Sequence, residues 1–190
     1  MWNLWQLAEK MINVLYEDNH VLCVEKPINI PAMEDDSHDM DLLSMCKEYL
    51  KEKYQKPGNV YCGLVHRLDR PVGGVMVFAK TSKAASRLSE AVRTHQLKKE
   101  YLAILDGIPT KKVDTLEDYL SKDTRTNTVS VTDAKHGKKC HLSYEVMSQK
   151  GKKSLVHIVL GTGRSHQIRV QFASRKLPLI HDQRYNPHTT

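Results

Sequence analysis

The chain has 190 residues, with 29 lysines and arginines against 22 aspartates and glutamates, a formal net charge of +7. That length suits one domain or two small subdomains with a core that needs no disulfide, and the cationic excess is the footprint expected of a protein that meets phosphate backbones, although many basic proteins bind nothing anionic. Its 4 cysteines never form a CxxC pair, no apolar run reaches transmembrane length and the first residues carry no signal-peptide pattern, so neither a zinc site, a disulfide framework nor a membrane span is suggested and a reduced cytoplasmic compartment is the default expectation.

Residues 1–11 carry both tryptophans without a partner pattern and read as a terminal extension packed on the body. Residues 13–27 read as a hairpin, with a polar turn at 17–20 and a second apolar run that stops at Pro27. A proline-bounded loop follows and turns acidic. Asp39 or Asp41 then caps a helix in which Leu42, Leu43, Cys46, Tyr49 and Leu50 recur with helical period, fraying before Pro57-Gly58. Residues 60–65 and 75–80 read as strands on either side of a tight turn. Ser82 caps a second helix with Ala84, Ala85, Leu88, Ala91 and Val92 on one face, leaving through a basic segment at 93–99. A short strand at 100–105 closes at Asp106-Gly107, and 111–128 reads as a polar peripheral excursion anchored by Leu116, Tyr119 and Leu120. Further strands are expected at 129–131, 141–146 and 155–160, and a last helix at 165–174. Short strands joined by brief turns outnumber helices. The expectation is an α+β fold, a mixed, largely antiparallel central sheet with a few flanking helices.

Three stretches carry candidate chemistry. Residues 63–80 place one carboxylate, Asp69, between Arg67 and Arg70 in a turn. An opposite charge within a few ångströms favours a carboxylate's ionised form, although an Asp in a turn is commonly structural. Tyr101 opens a strand in Lys98-Lys99-Glu100-Tyr101. Gly161-Thr-Gly-Arg-Ser-His-Gln-Ile-Arg169 presents backbone N–H groups suited to an anion, and Arg164 and Arg169 can pair with a carboxylate or phosphate or stand as a solvated helix face. His136, Cys140 and His141 lie close in sequence, but their lysine-rich flanks read as an exposed turn rather than a metal site. Ser165 and His166, neighbours on a helix, do not face each other as nucleophile and base.

His66-Arg67-Leu68-Asp69, followed by a glycine-containing turn and a strand ending Phe78-Ala79-Lys80, resembles the catalytic motif of RluA-type RNA pseudouridine synthases. Lys98-Lys99-Glu100-Tyr101 resembles that family's tyrosine motif, and residues 162–169 its third motif. Tyr16-Glu17-Asp18 with Val24-Glu25-Lys26-Pro27 resembles its opening hairpin. The blocks stand in the family's order and, with a weaker match at the tail, span residues 13 to 185.

The resemblance implies a single pseudouridine synthase domain over residues 1–190 with a basic active-site cleft, isomerising uridines in ribosomal or transfer RNA. Asp69 matches the catalytic aspartate, Tyr101 the tyrosine that stacks on the uracil, and Arg169 the basic residue that pairs with the aspartate. Arg67 matches the arginine that fills the place of the flipped uridine, and His66, Arg164 and His166 are placed as RNA contacts. The family uses no metal and no organic cofactor, and a monomer with RNA as its partner and no membrane is expected. The alternative is a catalytically degenerate RNA-binding module. Three departures feed it. His181 precedes Asp182 and Asn186 follows Tyr185 where the family commonly has glycine, and the chain stops at Thr190 where members usually continue, so the C-terminus reads as truncated. No room is left for an N-terminal S4 RNA-binding domain.

Overall fold

The fold of a computed structural model is described for residues 12–187; the terminal extension expected at 1–11 lies outside the described residues. The chain divides into two compact units, Met1–Gln96 and Leu97–Thr190, each with its own sheet.

In the first unit, β1 (Asn13–Glu17) and β2 (Val21–Lys26) form the expected hairpin. Asp18 closes its turn by accepting the N–H groups of His20 at 2.7 Å and Val21 at 2.8 Å. Strand β2 alternates strictly, so Leu22, Val24 and Lys26 all face inward. Helix α1 (Leu42–Lys53) lays Leu42, Met45, Cys46 and Leu50 onto that row and onto Met76 and Phe78 of β4 (Gly74–Ala79). Of the two candidate caps, Asp41 serves, accepting from Ser44 N–H at 3.0 Å. Residues 60–65 supply only the two-residue β3 (Gly63–Leu64), giving an antiparallel sheet of order β1-β2-β4-β3. Helix α2 (Ser82–Arg93) is capped by Thr81 rather than Ser82: the Thr81 hydroxyl takes Ala84 N–H at 3.1 Å, placing Ser82 inside the first turn.

The second unit holds β5 (Lys99–Asp106), β6 (Val113–Asp123), β7 (Thr128–Thr132), β8 (Lys138–Lys150), β9 (Lys153–Leu160) and α3 (Gln167–Ala173). Every pairing is antiparallel, in the order β5-β9-β8-β6-β7. The supposed excursion at 111–128 is in fact an 11-residue strand, β6, inserted between β8 and β7. Its inner row runs Leu116, Asp118, Leu120, and the carboxylate in that row hides the alternation because Gln171 and Arg175 engage it. Helix α3 packs Phe172 among Leu142, Tyr144, Val156 and Ile158, the Tyr144 ring standing edge-on to it at 5.4 Å, and Val170 against Leu120, Val129 and Cys140. Residues 178–180 cover the β5 edge through Asp106 N–H to Pro178 O at 2.7 Å and Ile180 N–H to Ile104 O at 3.0 Å.

Candidate active site

The loop between β3 and β4 carries His66, Arg67 and Asp69, and it is fastened from three sides. The His66 Nε2 accepts Val77 N–H at 3.0 Å, which ties the loop's entry to β4 and fixes its proton on Nδ1. Arg70 O accepts Asn29 N–H at 2.8 Å and the Lys26 ammonium at 3.0 Å. The same ammonium donates to Pro27 O at 2.9 Å and Ile30 O at 2.6 Å. Lys26 is fully buried, so all its N–H groups are spent on backbone carbonyls of the two loops flanking Asp69. Burial, opposed by the charge of Asp69 and assisted by that of Arg70, brings its pKa down to about 8. Gly74 begins β4 with φ +143°, a region closed to L side chains, so the return from loop to strand needs glycine.

The charges around Asp69 go to different places. Arg70 turns to the acidic loop, pairing with Asp39 and donating to Ser37 Oγ at 3.0 Å. Arg67 is exposed, its guanidinium 4.0 Å from Met33 Sδ. Asp69 itself is half-buried. At the other end of this sheet Glu17, its side chain largely covered, is bonded by Lys53 Nζ at 2.7 Å, Lys80 Nζ at 2.6 Å, Tyr49 Oη at 2.9 Å and Tyr54 Oη at 2.7 Å. Burial alone would raise its pKa; the hydrogen bonds from Lys53, Lys80, Tyr54 and Tyr49 outweigh that and hold it at about 2.

In the second unit, Tyr101 on β5 stands opposite Ile158 of β9 and packs, half-buried, against the core that holds Phe172. The 161–167 segment is organised by Gln167. Its Oε1 accepts Thr162 Oγ1–H at 2.8 Å and Arg164 N–H at 3.1 Å, while Nε2 donates to His141 O at 3.0 Å and Gln171 Oε1 at 3.1 Å. Gly161 lies flat against the His141 ring, where an added Cβ would come within 1.9 Å of Nε2, so no other residue fits. His166 takes a left-handed conformation (φ 50°) and meets Tyr185 Oη through Nδ1 at 2.8 Å. The same hydroxyl accepts Val129 N–H at 2.9 Å, so Tyr185 joins His166 to β7.

Arg169 makes a bidentate pair with Asp182, Nε to Oδ2 at 2.8 Å and Nη2 to Oδ1 at 2.6 Å, and its guanidinium lies 5.0 Å from the Tyr185 ring centre. Asp182 is buried, which would raise its pKa, and the Arg169 pair with the N–H groups of Tyr185 and Arg184 lowers it. Arg164 goes elsewhere, donating from Nε to Lys139 O at 3.2 Å. His166 and Arg169 therefore share Tyr185, and Arg164 does not join them. The departures are accommodated locally: His181 adopts φ 57°, the region a glycine occupies freely, and buried Asn186 donates from Nδ2 to Leu179 O at 3.0 Å.

Sequence reasoning missed Lys26, Gln167 and Asp182 as supports. The available signals were a lysine in phase with Leu22 and Val24 on an inward strand row, and glutamines four apart on the buried face of α3. Among the described residues, no group of three or more His, Cys, Asp and Glu side chains is placed to hold a metal ion, and no helix is long and apolar enough to cross a membrane.

A sequence profile of the RNA pseudouridylate synthase family matches residues 20–174. The human pseudouridylate synthase RPUSD2 is 34% identical over 179 residues, covering 92% of this chain and 31% of the relative. Ribosomal large subunit pseudouridine synthase C of Buchnera aphidicola (subsp. Acyrthosiphon pisum) is 30% identical over 173 residues, 90% of this chain and 53% of the relative. The chain thus spans about half or less of the length of these curated relatives. The solved structure of human RNA Pseudouridylate Synthase Domain Containing 4 superposes with a TM-score of 0.80 at 22% identity, over 95% of this chain and 72% of that one, and so shares the fold.

Fold and motifs together define an α+β pseudouridine synthase domain. The chain belongs to the RNA pseudouridine synthase family, of the RluA type.

Proposed function

We propose that this chain isomerises uridine to pseudouridine in structured RNA, ribosomal or transfer, with Asp69 as the catalytic carboxylate. The reaction breaks the C1′–N1 bond of a uridine and joins C1′ to C5, while a proton leaves C5 and N1 is protonated. A base that must detach and turn cannot stay stacked, so the nucleotide is flipped out at a cost of a few kcal/mol. Arg67, exposed on the Asp69 loop, fills the vacated stack through cation–π contact, and His66, Arg164 and His166 contribute RNA contacts. Tyr101 stacks on the uracil and assists loss of the C5 proton.

The observation that carries this reading is the fastening of the Asp69 loop by Lys26 and His66, with Arg70 drawn off to Asp39. A carboxylate acting as nucleophile or base gains from a fixed position, and its nearest sequence neighbour is not its cation. We assign that part to Arg169, which matches the basic residue of the family's third motif and whose guanidinium is oriented by its Nε and Nη2 bonds to Asp182. The relatives, one of them a ribosomal large subunit pseudouridine synthase, support RNA as substrate. A cofactor-free, metal-free monomer in the cytoplasm completes the proposal.

The test uses RNA tritiated at uridine C5. The parent chain releases tritium to water, and Asp69→Ala binds the same RNA with affinity within about threefold but releases none. Release at the parental rate by Asp69→Ala would overturn the assignment.

A further inference from the structure

The second unit carries a groove of about 560 Å³ at the open end of its sheet, away from the β8–β9 turn. Its polar wall is Lys122, His136, Lys138, Gly163, Arg164 and Ser165. The register explains why these charges gather. Lys138 lies opposite Leu120 in the β6–β8 ladder, Lys122 is two residues beyond Leu120, and Val129 lies opposite Lys122 in the β6–β7 ladder. All four side chains therefore share one face of the sheet. Leu120 and Val129 are buried beneath α3 and form the floor, while both lysines stand beyond the helix and are exposed. The Gly163–Ser165 segment closes the other side, with Arg164 steadied by its bond to Lys139 O and by Gln167.

The charge is unbalanced. No ion pair among the described residues engages Lys122, Lys138 or Arg164, and the nearby Asp133 is bound to Nδ1 of His136 at 2.8 Å. Lys139, on the opposite face, is the neighbour that does have a counter-ion, Glu117 at 3.1 Å. Small-molecule pockets are mostly apolar with a few polar groups. This groove inverts that balance, presenting three unpaired cations and a hydroxyl over a narrow apolar floor, the complement of a sugar–phosphate backbone.

We propose that this groove is a second RNA-binding site, holding the phosphodiester backbone of a strand segment outside the flipped nucleotide. It rests on the RNA reading above, and it extends that reading to Lys122, Lys138 and His136, which no motif includes, and to Ser165, to which the motif reading gave no part. The segment that forms its wall runs on through His166 into α3 and Arg169, so a strand seated here is held by the same piece of chain that carries the third motif. The phosphates fix register; they do not choose the base.

The test compares Lys122→Gln/Lys138→Gln with Lys150→Gln/Lys152→Gln, a charge-matched pair at the β8–β9 hairpin. Each is titrated with a fluorescein-labelled, uridine-containing hairpin RNA from 50 to 300 mM KCl, and tritium release by the parent chain is measured on bulk ribosomal and transfer RNA in parallel. The groove variant is expected to bind about tenfold more weakly at 150 mM salt, with the slope of log K against log[salt] reduced by about 1.4–1.8, the value for two lost phosphate contacts. The control pair is expected to bind as the parent does. Equal losses in both variants would reduce the effect to net charge and overturn the site. Parental tritium release with an unchanged groove variant overturns the groove and leaves the enzyme standing. Groove-specific loss with no tritium release upholds the groove and overturns the enzyme.

Discussion

Each unit holds one motif segment in place, and they do it with different chemistry. In the first, a buried ammonium, Lys26, gathers the carbonyls of Pro27, Ile30 and Arg70 around the Asp69 turn. In the second, a buried neutral amide, Gln167, ties Thr162, Arg164 and His141 around the third motif. An ammonium offers only donors and suits a site where several carbonyls converge; an amide offers both and suits a segment presenting N–H, O–H and C=O together. The difference is one of charge as well as geometry. The first clamp titrates and is strong, while the second does not titrate and is weaker bond for bond.

Lys26→Met sharpens that contrast most. It leaves three loop carbonyls without their charged donor, Arg70 O keeping only Asn29 N–H, and should cost about 3–4 kcal/mol in denaturant titrations. Tritium release should fall with it. The pH dependence distinguishes a clamp from mere burial. With the folded pKa near 8 against 10.5, the unfolded chain holds the extra proton between those values, so this group's contribution to stability rises with pH across that window. The neutral amine, however, has one N–H fewer to share among its carbonyl partners. Activity should therefore decline above about pH 8 while stability does not. A rate that stays flat to pH 10 would break the idea that Lys26 works through loop placement.

Glu17 tests whether the first unit depends on buried charge away from the site. Its folded pKa, near 2 against 4.5, makes its stabilisation fully present above pH 4.5 and lost as pH falls towards 2. Glu17→Gln should cost about 2–3 kcal/mol at pH 7, less than the whole shift because Lys53 is 46% exposed and its bond is screened. The variant's stability should be flatter than the parent's between pH 5 and 2.5. In the second unit, Gln167→Leu should cost about 1–2 kcal/mol, since neutral hydrogen bonds are lost, and that cost should not vary with pH between 6 and 10. A pH-dependent penalty there would erase the distinction between the clamps.

How much of this was legible follows the same division. Hairpin β1–β2, helix α1 and the Asp69 turn were readable because apolar period, Asp caps and proline stops all agree locally. Strand β6 was not, because Asp118 interrupts its inner row and its partners, Gln171 and Arg175, lie more than fifty residues away. The cap moved from Ser82 to Thr81 because adjacent hydroxyl residues offer equivalent caps and only the backbone decides. Asp69, Tyr101 and the 161–169 segment were singled out by motif, whereas Lys26 and Gln167 were not. Their work is on backbone groups brought close by the fold, and a sequence shows a buried lysine only as an anomaly of phase.

The smallest effect separates a residue's side chain from its backbone. Arg70 lends its carbonyl to the Lys26 clamp and its guanidinium to Asp39 and Ser37. The guanidinium pair is on the surface, the arginine 42% and the aspartate 53% exposed, so Arg70→Gln should cost only about 0.5 kcal/mol, the ordinary worth of such a pair. The carbonyl remains, and with it the bond to Lys26. Tritium release should stay within about threefold of the parent, in contrast to the loss in Lys26→Met. If Arg70→Gln were as damaging as Lys26→Met, the cation beside Asp69 in sequence would be serving it directly, and Arg169 would lose the part assigned to it.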